Sequence, residues 1–275
     1  MSTVAQALRE AAERLTSVTD TARLDAELLM AHVLGATRSD LLLRHMREPA
    51  PAGFEPLIAR RLAHEPVAYI IGEQEFFGRP VKVTPGVLIP RADSETTVQA
   101  ALDAARPDAR VLDCGTGSGA LLLTFLAERP EARGIGIDAS PAALACAQVN
   151  AAALGLADRA QIASGDWSEP GWADDLGRFD LIIANPPYVE ADAALDAQVR
   201  EWEPAEALFA GAEGLDDYRL LIPQLSDLLM PGGVAVVEIG WQQAEAVSAL
   251  AEAAGFAAEL RRDLANRPRA LILTH

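Results

Sequence analysis

Lysine is almost missing from this chain. Of its 23 basic residues only Lys82 is a lysine, and they face 40 acids for a net charge of −17. A nucleic-acid binder needs a basic footprint to neutralise phosphates, so this balance argues against direct nucleic-acid binding. Two cysteines, Cys114 and Cys146, are too few for a disulfide framework or a cysteine zinc site. The four histidines, His32, His45, His64 and His275, lie apart from other soft ligands, so no metal site is expected. No apolar run reaches the ~18–20 residues that cross a bilayer. The start, MSTVAQALREAAERLTSV, has no basic stretch followed by an apolar core and does not read as a signal peptide. A cytoplasmic protein with no membrane contact is the expectation.

What the chain does have is apolar substance and order. Half of its 275 residues are apolar, enough for one large domain or two ordinary ones. Residues 1–73 show apolar residues at three- and four-residue spacing and read as a helical domain. In its second helix Leu24, Leu28, Leu29, His32 and Val33 are expected to line the buried face, with Thr21 and Ser39 as N-caps and Gly35 as a stop. Residues 74–92 read as a linker with a hairpin at about 75–84, turning at Gly78-Arg79-Pro80. Residues 93–275 alternate strand and helix. Strands are expected at 110–114, 133–138, 159–164, 179–184, 233–239, 257–263 and 269–274. Helices are expected at 94–105, 118–129, 141–154, 216–229 and 242–254. This is an α/β pattern with a mostly parallel seven-stranded sheet covered on both faces. The last two strands are joined too closely for a crossover and must pair antiparallel. That arrangement resembles the Rossmann-like class I methyltransferase domain.

RVLDCGTGSGALLL sets Gly115, Gly117 and Gly119 between a strand and a helix. Glycines there allow a tight turn and close approach of a ligand. The motif fits S-adenosylmethionine, a dinucleotide or a bare turn. Asp113, just before the loop, would repel a pyrophosphate but suits an ammonium. Asp138 ends the next strand, where an acid can accept from ribose hydroxyls. Ser140 with Pro141 is the better helix cap there. Asp166 and Trp167 follow the third strand, where an adenine would lie. Together these features favour S-adenosylmethionine.

FDLIIANPPYV raises the sharpest question, because a core strand ends in a polar amide, two prolines and an aromatic ring. Asn185 Oδ1 and the Pro186 carbonyl are two acceptors that can hold both hydrogens of one NH2 group. Pro187 restricts Pro186 to extended geometry. Tyr188 can lie against a flat substrate. The pattern suits methylation of a planar, weakly nucleophilic nitrogen.

Those residues resemble the Asn-Pro-Pro-aromatic class of amino-group methyltransferases. EPVAYIIGEQEFFG, VTPGVLIPR, LDCGTGSGA, GDW, NPPYV, REWEPAEALFAGAEGLDDYRLLI, PGGVAVVEIGWQQAEAV and RDLANRPRALI resemble, in order, the PrmC/HemK protein-(glutamine-N5) methyltransferases of peptide-chain release factors. The resemblance covers essentially the whole chain. It implies methylation of the glutamine in the Gly-Gly-Gln motif of class I release factors, with S-adenosylhomocysteine as by-product; a monomer is expected. By position the resemblance implies that Gly115, Thr116, Gly117, Ser118, Gly119, Asp138, Trp167 and Asn185 contact the cofactor; Asp113 joins this set because its charge suits an ammonium. It assigns the glutamine amide to Asn185, Pro186, Pro187 and Tyr188, with Asn185, Pro186 and Tyr188 catalytic. One departure stands out: Ala92-Asp93-Ser94-Glu95 replaces the usual Pro-Glu-Thr-Glu, and Ser94 and Glu95 are expected to cap the following helix. The alternative is a DNA adenine or RNA guanine amino-methyltransferase, which would carry a basic recognition segment. Residues 1–75 hold 8 Arg, no Lys and 11 acids.

Overall fold

The structure, a computed structural model, describes residues 2–275. The helical region contains α1 (Val4–Leu15), α2 (Ala22–Leu34), α3 (Arg38–Asp40, running into a π-type turn Leu41–His45), α4 (Phe54–Leu62) and α5 (Val67–Ile71). The hairpin strands β1 (Glu73–Phe76) and β2 (Arg79–Lys82) follow, then α6 (Glu95–Ala104), β3 (Arg110–Cys114), α7 (Ala120–Glu128), β4 (Arg133–Asp138), α8 (Pro141–Ala153), β5 (Ala160–Ser164) and β6 (Phe179–Ala184). The remainder is α9 (Ala197–Trp202), α10 (Asp216–Leu228), β7 (Leu229–Glu238), α11 (Ala244–Ala253), β8 (Ala257–Arg262) and β9 (Pro268–Thr274). The chain divides into two compact units, residues 1–73 with 195–203, and residues 74–194 with 204–275.

The first unit is a small helical bundle. α1 begins with a capping box: Thr3 accepts from Gln6 N while the Gln6 side chain accepts from Thr3 N. Its Val4, Leu8, Ala11 and Leu15 recur on one face and are buried against Ala26, Leu29, Met30 and Ile58. The α2 face differs from the expected one. Leu24 and His32 are exposed, whereas Asp25 and Glu27 are buried. Paired charges explain this: Asp25 meets the buried Arg61 guanidinium at 2.7 Å, and Glu27 is held by Arg23 and Arg38. The Thr21 hydroxyl is spent on Asp25 Oδ1 and caps nothing, and Thr37 caps α3 in place of Ser39. Gly35 ends α2 in the left-handed region, as expected. Trp202 Nε1 donates to the Ala63 carbonyl, which fastens α9 to this unit.

The second unit carries the sheet, in the order β5-β4-β3-β6-β7-β9-β8. β9 pairs antiparallel with both β7 and β8, and the other pairs are parallel. The expectation of a seven-stranded, mostly parallel sheet closed by an antiparallel hairpin therefore holds. One face packs on α6 and α7 through Val98, Leu122, Phe125 and Leu126; the other packs on α10 and α11 through Leu221, Leu225 and Val247. Strand order reverses between β3 and β6, which opens a crevice at their carboxyl ends. The hairpin turn lies at Phe77-Gly78, both with positive φ, one position before the expected one. Ser94 stands at the start of α6 but makes no capping bond. Glu95 also bonds elsewhere, accepting from Phe77 N at 2.8 Å. Among the described residues no helix is long and apolar enough to cross a membrane.

Candidate active site

Register brings the two motif loops together. Cys114 pairs with Ala184 across β3 and β6, so Gly115 and Asn185 leave adjacent strand ends. Gly115, Gly117 and Gly119 all have positive φ, so the turn needs residues without a Cβ. Gly115 N and Thr116 N both donate to the Ile137 carbonyl of β4, and Gly119 precedes α7. Asp138 braces the loop from the next strand. Its Oδ2 accepts from Gly117 N at 2.8 Å and its Oδ1 from Ser140 N at 2.9 Å. Burial pushes its carboxyl up, against the pull of these amides. Ser140 caps α8 with Pro141 at the first helical position.

A cavity of about 340 Å³ opens over this edge. Gly115, Gly117, Asp138, Trp167, Asn185 and Pro187 are among its walls. The edge of the Trp167 ring lies on Gly115, where an added Cβ would come within 3.0 Å of it. Its Nε1 donates to Asp217, and burial pushes that carboxyl up too. The walls carry four acids, Asp138, Asp166, Glu206 and Asp217, and no Lys, Arg or His. A pyrophosphate would meet repulsion on this wall, whereas a cationic ligand is favoured. Of the two cofactor classes left open by the glycine loop, the wall fits the sulfonium and not the dinucleotide.

Two smaller cavities, each of about 50 Å³, share walls with the large one at Asn185. The first takes in Thr116, Ser118, Phe76 and Ser94; the second takes in Pro186, Tyr188, Val189, Ala207 and Leu208. Leu88 and Arg91 line both. The Asn185–Tyr188 loop is anchored where Tyr188 N and Val189 N donate to the Leu208 carbonyl. Tyr188 is pushed up to about 12, chiefly by burial and then by the Glu238 charge, so it stays a phenol near neutrality.

Four of the residues expected to contact the cofactor stand outside the large cavity, among them Ser118, whose carbonyl accepts from Asn150 Nδ2 at 2.8 Å. Gly119 turns into α7 and packs on Leu123. Thr116 donates to Asp113 Oδ2 at 2.7 Å. Asp113 is 1 % exposed and lines none of these cavities. Burial pushes its carboxyl up to about 7. It sits beneath the loop as a brace, because alternation along β3 puts it with Val111 on the face that packs on α7, where Thr116 bonds it. Sequence reasoning gave no role to Leu88, Arg91 and Ala207, although their segments carried the family resemblance. Among the described residues no group of His, Cys, Asp or Glu has the arrangement to hold a metal ion.

Comparison with known proteins bears on this geometry. Residues 6–72 match the model of the PrmC N-terminal domain, and residues 105–263 match a methyltransferase domain. The release factor glutamine methyltransferase of Cereibacter sphaeroides is 47 % identical over 260 residues, 92 % of this chain and 91 % of that protein. Its namesake in Rhodospirillum rubrum is 44 % identical, covering 91 % of this chain and 78 % of that protein. The chain belongs to the release factor glutamine methyltransferase family. It is an S-adenosylmethionine-dependent methyltransferase. A methyltransferase from Pyrococcus furiosus shares the fold, with a TM-score of 0.53 at 15 % identity over 72 % of this chain and 89 % of that one.

Proposed function

We propose that this enzyme methylates the side-chain nitrogen of the glutamine in the Gly-Gly-Gln motif of class I peptide-chain release factors. The observation that carries the reading is the position of Asn185, on the wall shared by the large acidic cavity and the small cavity lined by Pro186 and Tyr188. S-adenosylmethionine supplies a methyl group on a positively charged sulfur, and S-adenosylhomocysteine is what remains of it. The Gly115–Gly119 loop, Asp138 and Trp167 would hold it, and the acidic wall favours its charge.

The amide nitrogen is a poor nucleophile because its lone pair is delocalised into the carbonyl. Asn185 Oδ1 and the Pro186 carbonyl accept from its two N–H groups, which makes the nitrogen more electron-rich and fixes its direction. Tyr188 confines the flat amide from the side. Orientation of this kind is worth about 7–11 kcal/mol of barrier. Transfer would form the N–C bond as the methyl's bond to sulfur breaks, the electron pair staying on the sulfur of S-adenosylhomocysteine. The nitrogen would then shed one proton to solvent, with Asn185 Oδ1 accepting its hydrogen bond until it leaves. No metal enters this scheme. The helical unit is the part we assign to recognition of the release factor, and a cytoplasmic monomer is the working state.

The deciding assay gives the purified enzyme S-adenosylmethionine with a labelled methyl group, a release factor and duplex DNA. Label on one glutamine of the release factor is expected. Label in the nucleic acid, with none in the protein, would overturn the proposal.

A further inference from the structure

Gln243 lies outside every cavity wall described above, yet it reaches the reacting loop. Its Nε2 donates to the Tyr188 carbonyl at 3.0 Å and to the Gly214 carbonyl at 3.1 Å, while its Oε1 accepts from Gly240 N at 3.1 Å. Both amide hydrogens and the oxygen are used, and the partners allow only one orientation of the side chain. Three segments far apart in sequence are tied at one point: the loop after β6, the turn before α10 and the end of β7.

The space around this amide is cut to fit. A Cβ on Gly214 would lie 2.3 Å from the Tyr188 carbonyl oxygen and 2.7 Å from Gln243 Nε2. Gly214 also has φ +65°. A Cβ on Gly240 would lie 2.6 Å from Gln243 Oε1 and 3.4 Å from Tyr188 Cδ2. Gln243 itself occupies the position before the first turn of α11, where a short polar side chain would normally cap the helix. It makes no capping bond there. The side chain turns away from its own helix and serves the loop.

We infer that Gln243 is a positioning residue: it fixes the Tyr188 main chain and thereby aims Pro186 and Asn185 at the nitrogen to be methylated. The inference rests on the function proposed above. It follows because Pro186 and Pro187 leave the loop few ways to flex, so a hold on Tyr188 is transmitted back to Asn185. The Leu208 bonds fix the amide side of Tyr188, and Gln243 fixes its carbonyl side.

The test uses Gln243→Glu and Gly214→Ala in the full-length enzyme. Gln243→Glu keeps the size but presents a carboxylate to two carbonyl oxygens. Turnover of the release factor is expected to fall roughly 10- to 100-fold in kcat. KM for the release factor and Kd for S-adenosylhomocysteine should change little. Gly214→Ala should also lower kcat, and the double variant should lose less than the product of the two, because both act on the same carbonyl. Unchanged kcat in Gln243→Glu would overturn the inference, as would losses that simply track thermal midpoint and cofactor affinity. Hydrogen exchange without substrate separates this outcome from failure of the proposed function. The Pro186–Ala191 segment should exchange faster in Gln243→Glu while the Gly115–Gly119 loop is unchanged. If wild type leaves the release factor unlabelled, equal exchange in variant and wild type still overturns the clamp.

Discussion

Asn185 is the residue on which substrate and cofactor arguments converge, so its truncation should separate them. On the proposed reading the alanine variant loses one of two acceptors for the reacting amide, yet it changes only one of the many residues that line the large cavity. Loss of one such bond in a water-poor site costs roughly 10²–10³ in kcat. Kd for S-adenosylhomocysteine, read by calorimetric titration, should stay within a few-fold. Near-normal turnover would remove Asn185 from the mechanism. Asp113 makes a different prediction. Folding raises its carboxyl from the ordinary 3.8 to about 7 through burial, so the folded chain keeps a proton that the unfolded chain has already lost. Its stabilising contribution is complete below about pH 4 and is lost as pH rises through about 7. An asparagine cannot ionise. The stability of Asp113→Asn relative to wild type should therefore grow between pH 5 and pH 8 by roughly 2–3 kcal/mol. Urea melts across that range measure it, and a constant difference would contradict the buried, protonating carboxyl.

At the scale of elements, the site depends on how closely α7 and the glycine loop approach β4. The sequence RGIGID supplies that closeness with two glycines on one face of the strand. A Cβ on Gly136 would lie 2.7 Å from Thr116 Oγ1, and one on Gly134 would lie 2.4 Å from Leu122 Cδ1. Gly136→Ala should push Thr116 off Asp113 and lift the loop, at a cost of about 1–3 kcal/mol in stability. Affinity for S-adenosylhomocysteine should fall with it, whereas Gly134→Ala should cost stability with less effect on affinity. Equal effects of the two changes on binding would deny the loop its link to β4. These elements were readable beforehand because period-two and period-3.6 patterns are local. Loop glycines and the Asn-Pro-Pro-Tyr turn were readable for the same reason, since each lies within a few residues of its own strand. The buried face of α2 was not readable. It turns on the Asp25–Arg61 pair, 36 residues apart, and no pattern along α2 announces a distant guanidinium. Gln243 escaped notice likewise, because its partners lie 55 and 29 residues away.

The whole molecule adds two things that no single element contains. The chain passes between its compact units at residues 73, 194 and 203, so the segment Leu195–Glu203 belongs with helices nearly 140 residues earlier. The second is the summed field of a net charge of −17, to which the four acids of the large cavity wall contribute at short range. S-adenosylmethionine carries one net positive charge through its sulfonium, and S-adenosylhomocysteine carries none. Salt screens charge interactions over about 30 Å at 0.01 M and about 10 Å at 0.1 M. Raising ionic strength should therefore weaken S-adenosylmethionine binding several-fold while S-adenosylhomocysteine changes little. Calorimetric titration of both ligands across that range, with protein and pH held constant, gives the comparison directly. The difference should shrink in Asp166→Asn, which removes one wall charge without touching the loop that Asp138 braces. Parallel salt dependence for the two ligands would mean that the acidic wall does not act on the sulfonium, and the preference for a cationic cofactor would then rest on shape alone.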